Sequence, residues 1–151
     1  MLLQQQPNNW SCLPTAFAIA TNTSLEKFLI EVGHDGSEIW WPDSPEPYCR
    51  RAFHIQEMIL ACHNLGYIVT PFESYPVAGN YDKPLDLHPL DHNVQVQKII
   101  ENSIGVLIGV TRYGSPHAVA WDGKHCVEDN FLNLKGFKIN QYWRLIKSLS
   151  T

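Results

Sequence analysis

The sequence of 151 residues is poor in charged side chains and contains no long apolar run. Asp, Glu, Lys and Arg make up 17% of it, against about a quarter in ordinary globular domains. The 15 acidic and 11 basic residues leave a net charge of -4, whereas a nucleic-acid-binding protein normally carries a basic surface. No segment approaches the roughly 20 apolar residues of a membrane span. We therefore expect no nucleic-acid partner and no membrane partner.

The first residues also lack the features of a secretory signal. Residues 1–7 contain neither a basic stretch nor an apolar core of signal-peptide length. We therefore expect a cytoplasmic, reducing environment, in which cysteines are free, catalytic or metal-bound rather than paired. The four cysteines, Cys12, Cys49, Cys62 and Cys126, are too widely spaced for a CxxC metal site.

Internal repeats and low-complexity segments are absent apart from a short glutamine run, and 44% of the residues are hydrophobic. We therefore predict a single domain over residues 1–151 with its own core. Helices are predicted first and strands mostly afterwards, an order typical of an α+β fold rather than a doubly wound sheet. The predicted helices begin at Ser11–Cys12, at Thr23–Glu26, near Phe53 and at Asp91; the predicted strands are 67–70, 104–110, 117–121, 125–131, 136–139 and 142–146.

Cys12 stands at the start of the first predicted helix, where Ser11 is a plausible N-cap and Pro14 falls in the first turn. A thiol in this position experiences the positive end of the helix dipole and unpaired N–H groups, both of which favour the thiolate. The same N–H groups can stabilise an oxyanion on an attacked carbonyl. A nucleophilic thiolate also needs a basic partner, usually His, with an orienting acceptor. The alternative is a small buried cysteine without a chemical role.

Further features accompany this cysteine. Gln6 lies six residues before Cys12, and a strand opens late in the chain at Pro116-His117. In this layout the chain resembles the papain-like cysteine peptidases, most closely the small branch related to the double-glycine leader peptidases of bacteriocin exporters. The resemblance covers nearly the whole chain. Its motifs are Gln6-Pro7-Asn8-Asn9-Trp10-Ser11-Cys12-Leu13-Pro14-Thr15-Ala16, His117-Ala118-Val119-Ala120-Trp121 and Val127-Glu128-Asp129-Asn130-Phe131.

The resemblance implies a papain-like fold, with N-terminal helices packed on a C-terminal antiparallel sheet. It implies that Cys12 is the nucleophile, His117 the general base and Asp129 the residue that orients the base. The side-chain amide of Gln6 would join the Cys12 backbone N–H in an oxyanion hole. The implied substrate is a peptide or protein, and no cofactor is implied. Leu13 stands where the family usually has glycine, from which we expect a restricted substrate rather than an inactive site.

The third member of the triad depends on the register of a hairpin predicted at Asp122-Gly123. A two-residue turn would place Glu128 opposite His117, a three-residue loop would place Asp129 there, and a four-residue loop would place Asn130 there. The turn residues favour the first register, whereas the packing of two valines across the strands favours the second. The family pattern also favours Asp129. We therefore predict Asp129, with Asn130 second and Glu128 third, and assign Asp122 to the turn.

Other histidines and cysteines also form pairs that a zinc site could use. These are Cys62-His63, His125-Cys126 and the spaced pair His88 and His92. Helical spacing places Cys62 on an apolar face, strand alternation accounts for Cys126, and His88-Pro89 disfavours a helix through both spaced histidines. We therefore predict no metal site.

Three functions are compatible with the sequence. The first is a thiol hydrolase that cleaves a peptide or isopeptide bond. The second is an acyltransferase or transglutaminase-like enzyme, which would use the same triad. The third is a pseudo-peptidase that binds a peptide without cutting it, which Leu13 favours. We expect the loops predicted at 34–51, which includes Trp40 and Trp41, and at 73–91 to set specificity, and the sequence leaves the oligomeric state open.

Overall fold

The computed structural model describes residues 1–37, 52–73, 98–128 and 134–148. Across these ranges the chain forms helices and strands in the predicted order, which confirms the α+β class. No helix within them is long and apolar enough to cross a membrane. The elements are α1 (Cys12–Ala20), α2 (Leu25–Val32), α3 (Ile55–Asn64), β1 (Tyr67–Glu73), β2 (Ile104–Val110), β3 (Pro116–Trp121), β4 (Cys126–Val127) and β5 (Lys138–Lys147).

The strands form one antiparallel sheet in the order β1-β5-β2-β3-β4. The pairing of β2 with β5 shifts register between Ile108 and Gly109. A Cβ atom on Gly109 would lie 1.9 Å from the carbonyl oxygen of Lys138, so the close approach of the two backbones at this irregularity requires glycine. The two strands predicted at 136–139 and 142–146 form one strand, β5. In the sheet, β2 lies between β5 and β3.

Side chains alternate between two cores on opposite faces of the sheet. On one face Ala118 and Ala120 of β3 pack in the same buried cluster as residues of α1 and α3. On the other face Val119 and Trp121 join a second buried cluster. Helix α1 is buried from Pro14 to Ala20, so the element that carries Cys12 is held on nearly all sides.

The ends of α2 and α3 refine the sequence predictions. The N-cap of α2 is Ser24, whose Oγ accepts the Lys27 N–H at 3.2 Å, so the helix begins within the predicted start at Thr23–Glu26. Gly33 ends α2 in the left-handed region, with φ of 95°. Helix α3 begins at Ile55.

The hairpin between β3 and β4 has a register that differs from the prediction. Ala120 pairs with Val127 and Trp121 pairs with Cys126, which leaves a four-residue loop. The prediction that Val119 pairs with Val127 is wrong. A strand was predicted over residues 125–131. Strand β4 comprises Cys126–Val127, and neither residue 125 nor residue 128 belongs to it. Residues 129–131 lie outside the described residues.

The side chain of Asp122 explains the longer loop. Its Oδ1 accepts the N–H groups of Lys124 at 2.8 Å and His125 at 2.7 Å, while its own N–H donates to the His125 carbonyl at 3.1 Å. Gly123 takes the positive φ, 101°, that this turn needs. Asp122 is therefore a turn residue, as predicted, but the turn it stabilises is wider than the two-residue hairpin typical of Asp-Gly.

Candidate active site

Helix α1 places Cys12 at its first position, and the cysteine is partly exposed. Ser11 occupies the N-cap position, yet its hydroxyl forms no capping bond and instead donates to Oδ1 of Asn8 at 2.6 Å. The Ser11 side chain therefore does not occupy the N–H groups of the first turn, which include that of Cys12. These N–H groups are directed toward the N-terminal end of the helix, where the thiol lies, and the helix dipole adds positive potential there.

His117 is the second residue of β3 and is 8% exposed. Its Nε2 lies 2.5 Å from Oε2 of Glu128, which is also 8% exposed. The edge of the ring packs against Phe137 with centroids 5.9 Å apart. His117 also interacts electrostatically with Cys12, and this interaction contributes to the pKa of the ring. His117 therefore lies between a thiol and a carboxylate.

Strand alternation explains why Glu128 reaches this histidine. Residues directly opposite each other on antiparallel strands project from the same face. Trp121 and Cys126 form such a pair on one face, and Ala120 and Val127 form the next pair on the other. Glu128 follows Val127, so the alternation returns it to the face of Trp121, which His117 shares by its even spacing from Trp121.

The charges around His117 favour its protonated form. Burial by itself would lower the pKa of His117, but hydrogen bonds to Cys12 and Glu128, together with the negative charges of both groups, raise it to about 9. The protonated ring donates from Nε2 to the Glu128 carboxylate. The arrangement therefore favours the imidazolium form of His117 beside Cys12.

Gln6 reaches the same cleft as Cys12 and Glu128. Its Nε2 donates one hydrogen to the carbonyl oxygen of Asn8 at 2.6 Å, and the amide group has a second hydrogen that points elsewhere. Asn8 thus fixes both Gln6 and, through its Oδ1, the backbone N–H of Trp10 at 3.1 Å. Asn8 is a positioning residue that sequence reasoning missed, although its place three residues before Ser11 is typical of a local side-chain turn.

The neighbouring glutamines differ in role from Gln6. Gln4 anchors the N-terminal segment, since its Oε1 accepts the Leu25 N–H at 2.7 Å and its Nε2 donates to the Thr23 carbonyl at 2.7 Å. Gln5 is exposed. Gln4 and Gln6 thus both line the cleft, but the side-chain amide of Gln4 is bonded to the backbone near α2, and Gln5 is exposed.

The cleft beside Cys12 is narrow and offers about 10 Å³ of space to a water-sized molecule. Leu13 does not line it, because its side chain packs against the buried cluster formed by α1, α3 and one face of the sheet. The walls of this cleft are therefore not narrowed by Leu13. The lining residues are Gln4, Gln6, Cys12, Thr15, Ala16, Ile19, Ala118, Val119, Ala120, Val127 and Glu128.

The predicted site residues fall into two groups. The structure places Gln6 and Cys12 on one cleft and His117 beside Cys12. Asp129 and Asn130 lie outside the described residues, so the role of Asp129 stays a prediction. The carboxylate that the structure places on His117 is that of Glu128, the third choice from the sequence.

The other cysteines of the described chain are packing residues. Cys62 is 0% exposed in α3, and burial raises the pKa of its thiol to about 12. Cys126 is also buried. Cys49, His88, His92, Trp40 and Trp41 lie outside the described residues. Within the part of the chain that is described, no three or more His, Cys, Asp or Glu side chains are gathered in a way that could hold a metal ion.

Comparisons of the chain with protein-family models, with curated proteins and with solved structures give no match.

Proposed function

We propose that the protein is a papain-like thiol hydrolase that cleaves a peptide or isopeptide bond through an acyl-enzyme on Cys12. One observation carries this proposal: His117 is hydrogen-bonded to Glu128 and interacts with Cys12, which lies at the N-terminus of a buried helix. A nucleophile, a base and an orienting carboxylate in contact are the requirements of thiol acyl chemistry. The proposed papain-like architecture draws support from the helix that presents the thiol to an antiparallel sheet.

The first half-reaction forms a thioester. The Cys12 thiolate attacks the substrate carbonyl carbon, and the electron pair of the C=O bond moves to oxygen. The Cys12 N–H and the second hydrogen of the Gln6 amide stabilise that oxyanion. As the tetrahedral intermediate collapses, the C–N bond breaks and the His117 imidazolium gives its proton to the departing amine.

The second half-reaction releases the acyl group. Neutral His117 takes a proton from water, whose oxygen attacks the thioester carbonyl. The C–S bond then breaks, the product leaves as a carboxylic acid, and the thiolate–imidazolium pair is restored. Glu128 keeps the ring in place and stabilises its positive charge in both half-reactions. An amine in place of water would give acyl transfer, which product analysis with added amine separates from hydrolysis.

The proposal predicts that iodoacetamide alkylates Cys12 selectively in the native protein. Cys12 is partly exposed and lies beside the His117 ring, whose pKa is raised, whereas Cys62 and Cys126 are buried. A limiting amount of reagent followed by peptide mass spectrometry measures the label at each cysteine. Replacement of His117 by alanine should slow the labelling of Cys12 by at least about tenfold at neutral pH.

The matched control is the denatured protein, in which every cysteine is exposed and labelling should lose its selectivity. Preferential labelling of Cys49 or Cys62 in the native protein, with Cys12 inert, would exclude Cys12 as the nucleophile.

A further inference from the structure

The hydroxyl of Thr15 is a buried polar group without a hydrogen-bond partner among the described residues. Thr15 is 5% exposed and lies one helical turn after Cys12. Thr21 at the end of the same helix is 4% exposed, and its hydroxyl donates in the usual helical manner to the carbonyls of Phe17 at 2.8 Å and Ala18 at 3.2 Å. Thr15 does not form the corresponding bond, so its hydroxyl is left for another partner.

The surroundings of Thr15 suggest the nature of that partner. Thr15 lines the cleft together with Cys12, Gln6 and Glu128, so polar groups face the cleft from both the helix and the sheet side. Apolar side chains such as Ala16 complete the wall. The cleft has room for about one water molecule, and a buried water typically binds about three polar groups.

We propose that the hydroxyl of Thr15 holds one ordered water molecule in this cleft and that this water hydrogen-bonds Glu128. Thr15 is then a positioning residue, which acts on the base through the water and the carboxylate and does not touch the substrate. A buried hydroxyl without any partner would cost about as much free energy as a lost hydrogen bond, and a bridging water removes that cost. The positioning role rests on the proposed function, whereas the water site does not.

The test compares the variants Thr15→Val, Thr15→Ser and Thr21→Val. Valine matches the shape of threonine but has no hydroxyl. Two quantities are measured: the melting temperature, and the midpoint of the His117 ring titration followed by NMR. Thr15→Val should lower the melting temperature by roughly 3 °C. It should also move the His117 midpoint to lower pH, because Glu128 is held less firmly against the ring.

The other variants separate positioning from stability. Thr15→Ser retains the hydroxyl and should keep the wild-type midpoint, whereas Thr21→Val should lower the melting temperature and leave the midpoint unchanged. A Thr15→Val melting temperature equal to or above that of the wild type would overturn the water site, because removal of an unpaired hydroxyl is stabilising. A midpoint unmoved by Thr15→Val would overturn the positioning role. If the variants show the expected shifts but the wild-type protein hydrolyses no substrate, only the proposed function is refuted.

Discussion

Replacement of Cys12 by alanine is expected to reduce peptide cleavage to the background rate, a loss of at least about 10⁴-fold. Alanine keeps the helix and its N–H groups but removes the sulfur atom on which the proposed acyl-enzyme would form. The measurement uses a library of synthetic peptides incubated with the protein, in which mass spectrometry detects new termini. A wild-type protein that produces new termini, matched by a Cys12→Ala protein that produces them equally fast, would exclude the proposed nucleophile.

Cys62→Ala is the matched control for this variant, since it makes the same chemical change in a buried cysteine of α3. It should keep the cleavage pattern of the wild type. Gln6→Ala should reduce cleavage about 10²-fold, the usual cost of one oxyanion-hole donor, whereas Gln5→Ala should have no effect because Gln5 is exposed. Equal effects of the two glutamine variants would remove Gln6 from the oxyanion hole.

The second large effect is expected from Glu128→Gln. Glutamine has the shape of glutamate and still accepts a hydrogen bond, but it lacks the charge that stabilises the imidazolium. We expect cleavage to fall by about 10²-fold or more. The His117 titration should move from a midpoint of about 9 toward the ordinary 6.5, as read from the ring proton signals.

Asp129→Asn is the decisive comparison, because the family resemblance assigns the orienting role to Asp129. If Glu128 holds His117, Asp129→Asn should leave the titration and the cleavage rate near those of the wild type. If instead Asp129→Asn lowers both the His117 midpoint and the cleavage rate, and Glu128→Gln changes neither, the orienting role belongs to Asp129.

The contact between His117 and Glu128 also makes the free energy of unfolding depend on pH. The pKa of His117 is raised in the folded protein, from 6.5 to about 9, so the unfolded chain releases this proton at lower pH than the folded chain does. The stabilisation is therefore complete below pH 6.5 and is lost as the pH rises through 9. Denaturant titrations across this window should show the decline in the wild type and a smaller one in Glu128→Gln.

Much of the site was accessible from the sequence because its signals are local. A cysteine before an alanine-rich apolar run predicts a thiol at the start of a buried helix, and β2 spans the predicted residues 104–110. Gln6 was chosen over its two neighbouring glutamines because only Gln6 has the spacing to Cys12 that the family resemblance requires. The helix and the strand, in contrast, follow from periodicity that a single sequence carries.

The partner of His117 was not accessible in the same way, because it depends on hairpin register. Asp122 stabilises a four-residue loop by accepting two backbone N–H groups, and this loop places Glu128 on the face of His117. The three-residue loop behind the prediction of Asp129 would have placed Glu128 on the opposite face. Thr15 was equally hidden, since the sequence does not reveal which of two threonines in one helix bonds to its own backbone. Both depend on side-chain geometry rather than on pattern.

The most direct test of the account is the acylation of Cys12 by an activated ester such as p-nitrophenyl acetate, which requires no knowledge of the natural substrate. Rapid mixing should give a burst of nitrophenolate stoichiometric with the protein, and mass spectrometry of the quenched mixture should place the acetyl group on Cys12. The burst should disappear in Cys12→Ala and His117→Ala. A slow linear release without a burst, or an acetyl group on any other residue, would contradict the proposed thiol hydrolase.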